Sequence, residues 1–121
     1  MTVLVIEDDA SFRRTLTAFL EDSGYQVAEA ANGQEGLDCF ERQKPDIVVT
    51  DLRMPVMDGF EFMARLNSTG CGTPVIVLTG TGDPQTPAAA LDRGARQCIL
   101  KPVADLCALE RAIERALASP R

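Results

Sequence analysis

Apolar residues fall into two alternating patterns along this chain. Val3, Leu4, Val5 and Ile6 form an unbroken apolar run. Ile47, Val48 and Val49 repeat it, and so do Val75, Ile76, Val77 and Leu78. Short, continuous, β-branched runs of this kind predict strands buried on both faces. Between and after them, apolar residues return every three or four positions. Phe12, Leu16, Phe19 and Leu20 make one such stripe, and Leu106, Leu109, Ile113 and Leu117 make another. That period puts the apolar side chains on one side of a helix.

Weaker signals fill the gaps. Residues 25–30 predict an edge strand. Asn32 with Glu35 opens a helix that runs through Leu37 and Phe40 and stops before Pro45. Asp58 with Glu61 is a capping-box pair for a helix over 58–66, whose apolar side is Phe60, Phe62, Met63 and Leu66. Residues 67–73 read as a loop, and 80–84 as a link between elements. A short helix at 88–93, closed by Gly94, has mostly alanines to bury and is expected to be loosely held. A fifth strand over 97–100 runs into Lys101 and Pro102. Strand and helix thus alternate five times. The order requires a parallel sheet with right-handed crossovers and helices on both faces. There is no internal repeat and no linker, so residues 1–121 are expected to form a single domain.

Composition narrows the function classes. The chain has 121 residues, 45% hydrophobic and 25% charged, as an ordinary soluble domain does. A net charge of −6 opposes nucleic-acid binding by this domain, since phosphates would be repelled. Four cysteines (Cys39, Cys71, Cys98, Cys107) are scattered without a C-x-x-C pair, and the chain has no histidine, so zinc has little support. Scattered thiols and a first apolar run too short for a leader or a membrane span point to the cytoplasm.

The chemistry gathers at strand ends. Glu7 and Asp8 follow the first strand, Asp51 the third, Thr79 the fourth and Lys101 the fifth. In a parallel sheet these ends lie along one edge, where open α/β sheets bind ligands. Each residue has a plainer reading. Asp51 is a loop carboxylate or a cap, Glu7 and Asp8 are helix-leading acids, Thr79 a β-branched strand end, Lys101 a solvated charge. For Asp9 the plain reading, capping or solvation, is preferred, and Arg13 with Arg14 reads as a solvated helix face rather than a docking site. Taken together, three converging carboxylates repel one another and need a cation. Mg²⁺ suits such a site, because it accepts a few carboxylates and keeps several waters. With a lysine and a hydroxyl nearby, the set is arranged for phosphoryl transfer to Asp51, giving an aspartyl phosphate. The glycines at 70, 72, 80 and 82 do not make a phosphate-cradling loop, since no G-x-x-x-x-G-K-[ST] occurs.

These residues resemble the receiver domain of two-component response regulators. The likeness covers essentially the whole chain. It rests on Ile6-Glu7-Asp8-Asp9, on Asp51 with Met54-Pro55 and Asp58-Gly59, on Leu78-Thr79-Gly80 and on Lys101-Pro102. It implies a flavodoxin-like (βα)5 doubly wound sheet of order 2-1-3-4-5. It implies that Asp51 takes a phosphoryl group from a histidine kinase or phosphotransfer protein. Asp8 and Asp51 would hold Mg²⁺ directly, with the Arg53 carbonyl as a further ligand and Glu7 acting through water. Thr79 and Lys101 would contact the phosphoryl oxygens.

Phosphorylation would shift the face built from residues 79–103, which meets an output domain or partner protein, and a phosphorylation-dependent dimer is compatible with this. Gly80-Thr81-Gly82-Asp83 is similar to regulators whose outputs control transcription. One departure stands out: the position three before the lysine is usually aromatic in the family and is Cys98 here. The reading is of a switch, not a turnover enzyme. Two alternatives remain at this point. One is a phosphohydrolase of the haloacid-dehalogenase type, which resembles D-x-D at the nucleophile, whereas Arg53 stands two after Asp51. The other is a receiver-like scaffold that binds partners without phosphorylation.

Overall fold

The computed structural model describes residues 1–54, 56–70, 72–79, 89, 91–100 and 106–118. Among the described residues the elements follow in the order β1 (Thr2–Ile6), α1 (Ala10–Asp22), β2 (Gln26–Ala30), α2 (Gly33–Gln43), β3 (Ile47–Asp51), α3 (Gly59–Ser68), β4 (Val75–Thr79), β5 (Gln97–Leu100) and a C-terminal helix (Leu106–Ala118). All strand pairs are parallel, in the order β2-β1-β3-β4-β5. This is the flavodoxin-like arrangement. The alanine-rich helix expected at 88–93 lies largely outside the described residues. Ala89, Leu91 and Asp92 are helical, and Arg93 N–H donates to the Ala89 carbonyl at 3.1 Å.

The apolar runs are continuous because the central strands are covered twice. Alternate residues of β1 face opposite sides. Leu4 and Ile6 join Val48, Phe62, Met63 and Leu66 beneath α2 and α3. Val3 and Val5 join Ile47, Val49, Leu16 and Ile113 beneath α1 and the C-terminal helix. β2, at the edge, is only half buried and carries Gln26 and Glu29, charge and polarity that discourage further strand pairing. Among the described residues no helix is long and apolar enough to cross a membrane.

The caps fix where helices begin below the strand ends. Asp9 caps α1, its Oδ1 accepting from the amides of Ser11 at 3.0 Å and Phe12 at 3.2 Å. Asn32 accepts from Glu35 N–H at 2.9 Å and Asp58 from Glu61 N–H at 2.8 Å. The expected capping box at Asp58 forms only in this half. The Glu61 side chain turns instead to Arg65, at 3.2 Å, where an i,i+4 ion pair competes with the reach back to the helix start. α2 ends with Lys44 in the left-handed region at φ 46°, one residue before the proline expected to stop it.

Two local costs are visible. The Thr17 hydroxyl is buried and has no hydrogen-bond partner among the described residues. Val56, between β3 and α3, is 80% exposed and has φ 71°. A β-branched residue is unfavourable there. The loop holds it in place from both ends: Gly59 N–H donates to the Leu52 carbonyl at 2.9 Å, and the Met57 carbonyl accepts from Gly33 at 3.1 Å.

Thr17→Val removes the unpartnered hydroxyl at constant shape. It is expected to stabilise the fold by about 1 kcal/mol, seen as a melting temperature higher by roughly 4 °C. A lower melting temperature would show that the hydroxyl has a partner. Val56→Asn, which tolerates the left-handed region, is expected to stabilise by up to about 1 kcal/mol. The check is a higher urea midpoint at unchanged slope; a fall in the midpoint would count against strain at this residue.

Candidate functional site

The strand order brings β1 and β3 side by side, with Ile6 opposite Thr50. Glu7 therefore begins where Asp51 ends. β1 leads to β2 on one side and β3 leads to β4 on the other, so the crevice at this edge is the switch point of the sheet. Glu7 is 1% exposed and Asp51 7% exposed, while Asp8 stands in solvent. One carboxylate oxygen from each of Glu7, Asp8 and Asp51 lies within 4.8 Å of the other two.

Backbone groups set these side chains in place. Asp51 Oδ1 accepts from Leu52 N–H at 2.7 Å and from Arg53 N–H at 3.3 Å. The Asp51 carbonyl accepts from the Thr50 hydroxyl at 2.9 Å. Gly59 packs so closely that a Cβ there would strike the Asp51 carbonyl oxygen, so only glycine lets α3 start this near the site. Glu7 N–H continues the ladder to the Ala30 carbonyl at 3.0 Å, and Glu7 Oε2 receives Asp9 N–H at 3.4 Å. Thr79 ends β4 and is 3% exposed, one residue past the Leu78 that pairs with Asp51.

Five of the six site residues predicted from the sequence are thus described: Glu7, Asp8, Asp51, Arg53 and Thr79. The Arg53 side chain is exposed, and its backbone borders Asp51 through the amide bond above. Lys101, with Pro102, lies outside the described residues. Asp9 is a cap, the first of its two plain readings.

Arg13 departs from the solvated role expected of it. Its Nη1 donates to the Glu7 carbonyl at 2.7 Å, and its Nε pairs with Glu29 Oε1 at 3.0 Å. A signal for this existed in the spacing, since Arg13 lies one helical turn after the cap and faces back toward the strand end. Cys98 lies on β5 opposite Val77 and is half buried against the core, and desolvation raises its thiol above the ordinary value. That favours an unreactive thiol.

The donor set suits a hard divalent cation. Octahedral Mg²⁺ holds oxygens at about 2.0–2.1 Å, so its ligand atoms span roughly 3–4 Å from one another. Three carboxylate oxygens already gathered within 4.8 Å need only small side-chain adjustments to meet it.

Residues 3–114 match the family described as the response regulator receiver domain. The response regulator MprA of Mycolicibacterium vanbaalenii is 40% identical over 115 residues, covering 93% of this chain and 50% of MprA. The transcriptional regulatory protein GlrR of Escherichia coli K12 is 39% identical, covering 95% of this chain and 26% of GlrR. The chain therefore spans half or less of the length of these relatives. Among solved structures, a response regulator receiver domain protein from Clostridium thermocellum superposes with a TM-score of 0.89 at 31% identity, over 96% of this chain and 93% of that one. FixJ-N gives 0.87 at 33% identity, over 99% and 95%. Strand order, acidic crevice and this match over residues 3–114 agree: the chain belongs to the response regulator receiver domain family, the phosphoacceptor signalling modules of two-component systems.

Proposed function

We propose that Asp51 is the phosphoacceptor and that Glu7, Asp8 and Asp51, with the Arg53 carbonyl, gather Mg²⁺. The observation that carries this reading is a buried, amide-anchored carboxylate within 4.8 Å of two more at the switch point of the sheet. Asp8 and Asp51 would bind the ion directly and Glu7 through water. Bound there, Mg²⁺ would offset the carboxylate charge and polarise phosphoryl oxygens. The Leu52 and Arg53 amides hold Asp51 Oδ1, so its orientation is set before a donor arrives. It attacks the phosphorus of a phosphohistidine on a histidine kinase or phosphotransfer protein. The imidazole leaves with the electron pair of the P–N bond. Thr79 and Lys101 receive the equatorial oxygens, the first by its hydroxyl and the second by its charge.

The product is a switch state rather than a released substrate. Autophosphorylation from a donor and slow autodephosphorylation are its only chemistry, and the domain spans residues 1–121. The phosphoryl group draws Thr79 inward. The change passes to the face built from 79–103, which meets an output domain or partner, in a cytoplasmic protein of transcriptional control. Relatives named as response and transcriptional regulators support that output. Contacts between α3 and Arg93 support the route. Arg93 lies 4.5 Å over the Phe60 ring, and Asn67 Nδ2 donates to the Arg93 carbonyl at 3.0 Å.

Incubation with acetyl phosphate and Mg²⁺ is expected to leave one base- and hydroxylamine-labile phosphoryl group per chain. Asp51→Asn should abolish it, and Asp8→Ala should lose most of it at equal Mg²⁺. Equal labelling of Asp8→Ala removes the metal assignment, and continuous phosphate release points to a hydrolase. In amide exchange, phosphorylation is expected to change residues 79–96 most. Thr79→Ala should keep the phosphoryl group and lose that change, while Cys98→Ala should keep both. A largest response in α1 or α2 would place the output surface elsewhere.

A further inference from the structure

Arg13 sits in the first turns of α1 with its side chain only 18% exposed, unlike its exposed neighbour Arg14. Its guanidinium spans two elements. One arm reaches the Glu7 carbonyl at the end of β1, at 2.7 Å, and the other reaches Glu29 on the edge strand β2, at 3.0 Å. Val5 and Glu29 are register partners, so the fork closes over the end of the β1–β2 ladder.

The Glu7 carbonyl oxygen belongs to the peptide plane shared with Asp8. Because that plane is rigid, fixing the oxygen also fixes where the Asp8 nitrogen and Cα lie, and so the point from which its side chain departs. The peptide before it is held by the ladder bond from Glu7 N–H to Ala30, and the residue after it is the cap of α1. Arg13 completes the hold on the turn from which Glu7 and Asp8 project.

We infer that Arg13 is a positioning residue for the acidic site: its fork sets the Glu7–Asp8 peptide so that the Asp8 carboxylate converges with Asp51. This rests on the reading in which Glu7, Asp8 and Asp51 gather Mg²⁺. A brace and a charge make opposite predictions here. As a bare cation near three carboxylates, Arg13 weakens binding of another cation, so removing it would tighten Mg²⁺. As a brace, its removal loosens Asp8 and weakens Mg²⁺. Glu29 offsets the guanidinium charge and leaves the geometry. Lysine cannot replace it fully, since one ammonium lacks the planar fork that serves both acceptors.

The experiment titrates Mg²⁺ into the full chain and reads the dissociation constant from amide chemical shifts around Asp51, with melting temperatures taken without Mg²⁺. Arg13→Ala is expected to raise the constant about tenfold, the low end for groups that hold metal ligands in place. Arg13→Lys should recover only part of this. Glu29→Ala, which keeps the Glu7 bond, should give a smaller rise. Arg14→Ala removes a charge without either bond and should leave the constant unchanged or lower. An unchanged constant in Arg13→Ala with a lower melting temperature overturns the proposal in favour of a role in folding alone, and a tighter constant overturns it in favour of charge alone. If Arg13→Ala fails to fold, an unchanged constant in both Arg13→Lys and Glu29→Ala overturns it equally. If the unsubstituted chain binds no Mg²⁺, the metal reading falls, and the proposal with it.

Discussion

Negative charge crowded at the end of a buried sheet is the constraint on which the rest depends. Glu7 and Asp51 are almost fully buried, and each has an oxygen within 4.8 Å of the other and of Asp8. Folding alone gives no reason to gather like charges out of water, where each costs desolvation and repels its neighbours. Other features of this edge make the gathering unavoidable. The 2-1-3-4-5 order sets β1 against β3, the Leu52 and Arg53 amides hold Asp51 Oδ1, and Gly59 lets α3 close on the Asp51 carbonyl. Backbone contacts thus hold the cluster together against its own repulsion, and its oxygens suit a hard divalent cation.

Three consecutive acids at the end of β1 meet three different fates, and the backbone decides each. Glu7 still belongs to the ladder and points into the sheet edge. Asp8 faces solvent at the mouth of the crevice. Asp9 has turned into the helix, where two amides at 3.0 and 3.2 Å use its carboxylate as a cap. The cap is stabilising by about 1 kcal/mol in general, and its second effect is to fix where α1 begins. That start places Arg13 within reach of the Glu7 carbonyl.

The fold was legible because burial on two faces leaves a coarse signature. Val3, Val5 and Leu4, Ile6 divide cleanly between the two cores, so a run with no alternation still marks a strand. Site residues were legible for a related reason: polar residues directly after such runs must emerge at one edge. What escaped depends on geometry finer than spacing. Lys44 in the left-handed region, and Val56 with φ 71°, are set by tertiary contacts that override residue preference. Glu61 had two partners at equal helical reach, Asp58 and Arg65, and pattern alone cannot choose between them. Arg13 looked like a surface cation because its partners are a main-chain carbonyl and a side chain on a neighbouring strand, and carbonyls leave no trace in sequence.

The alanine content of the segment around 88–93 gave only half of its energetics. Few apolar anchors were expected, and Leu91 is indeed exposed at 49%. Arg93 is nonetheless tied to α3 by polar means, through its guanidinium over Phe60 and Asn67 beneath its carbonyl. α3 in turn begins against the Asp51 backbone, so Phe60 lies one residue from the glycine that touches the site. A contact of cation–π type is worth only about 0.5–1 kcal/mol at an exposed position. A tie of that size holds a segment in one arrangement without locking it there, whereas a well-packed apolar anchor would. With a thiol at Cys98 in place of a ring, β5 has no large side chain to swing at that position. Arg93 is held to α3 by these two polar contacts, each of modest strength.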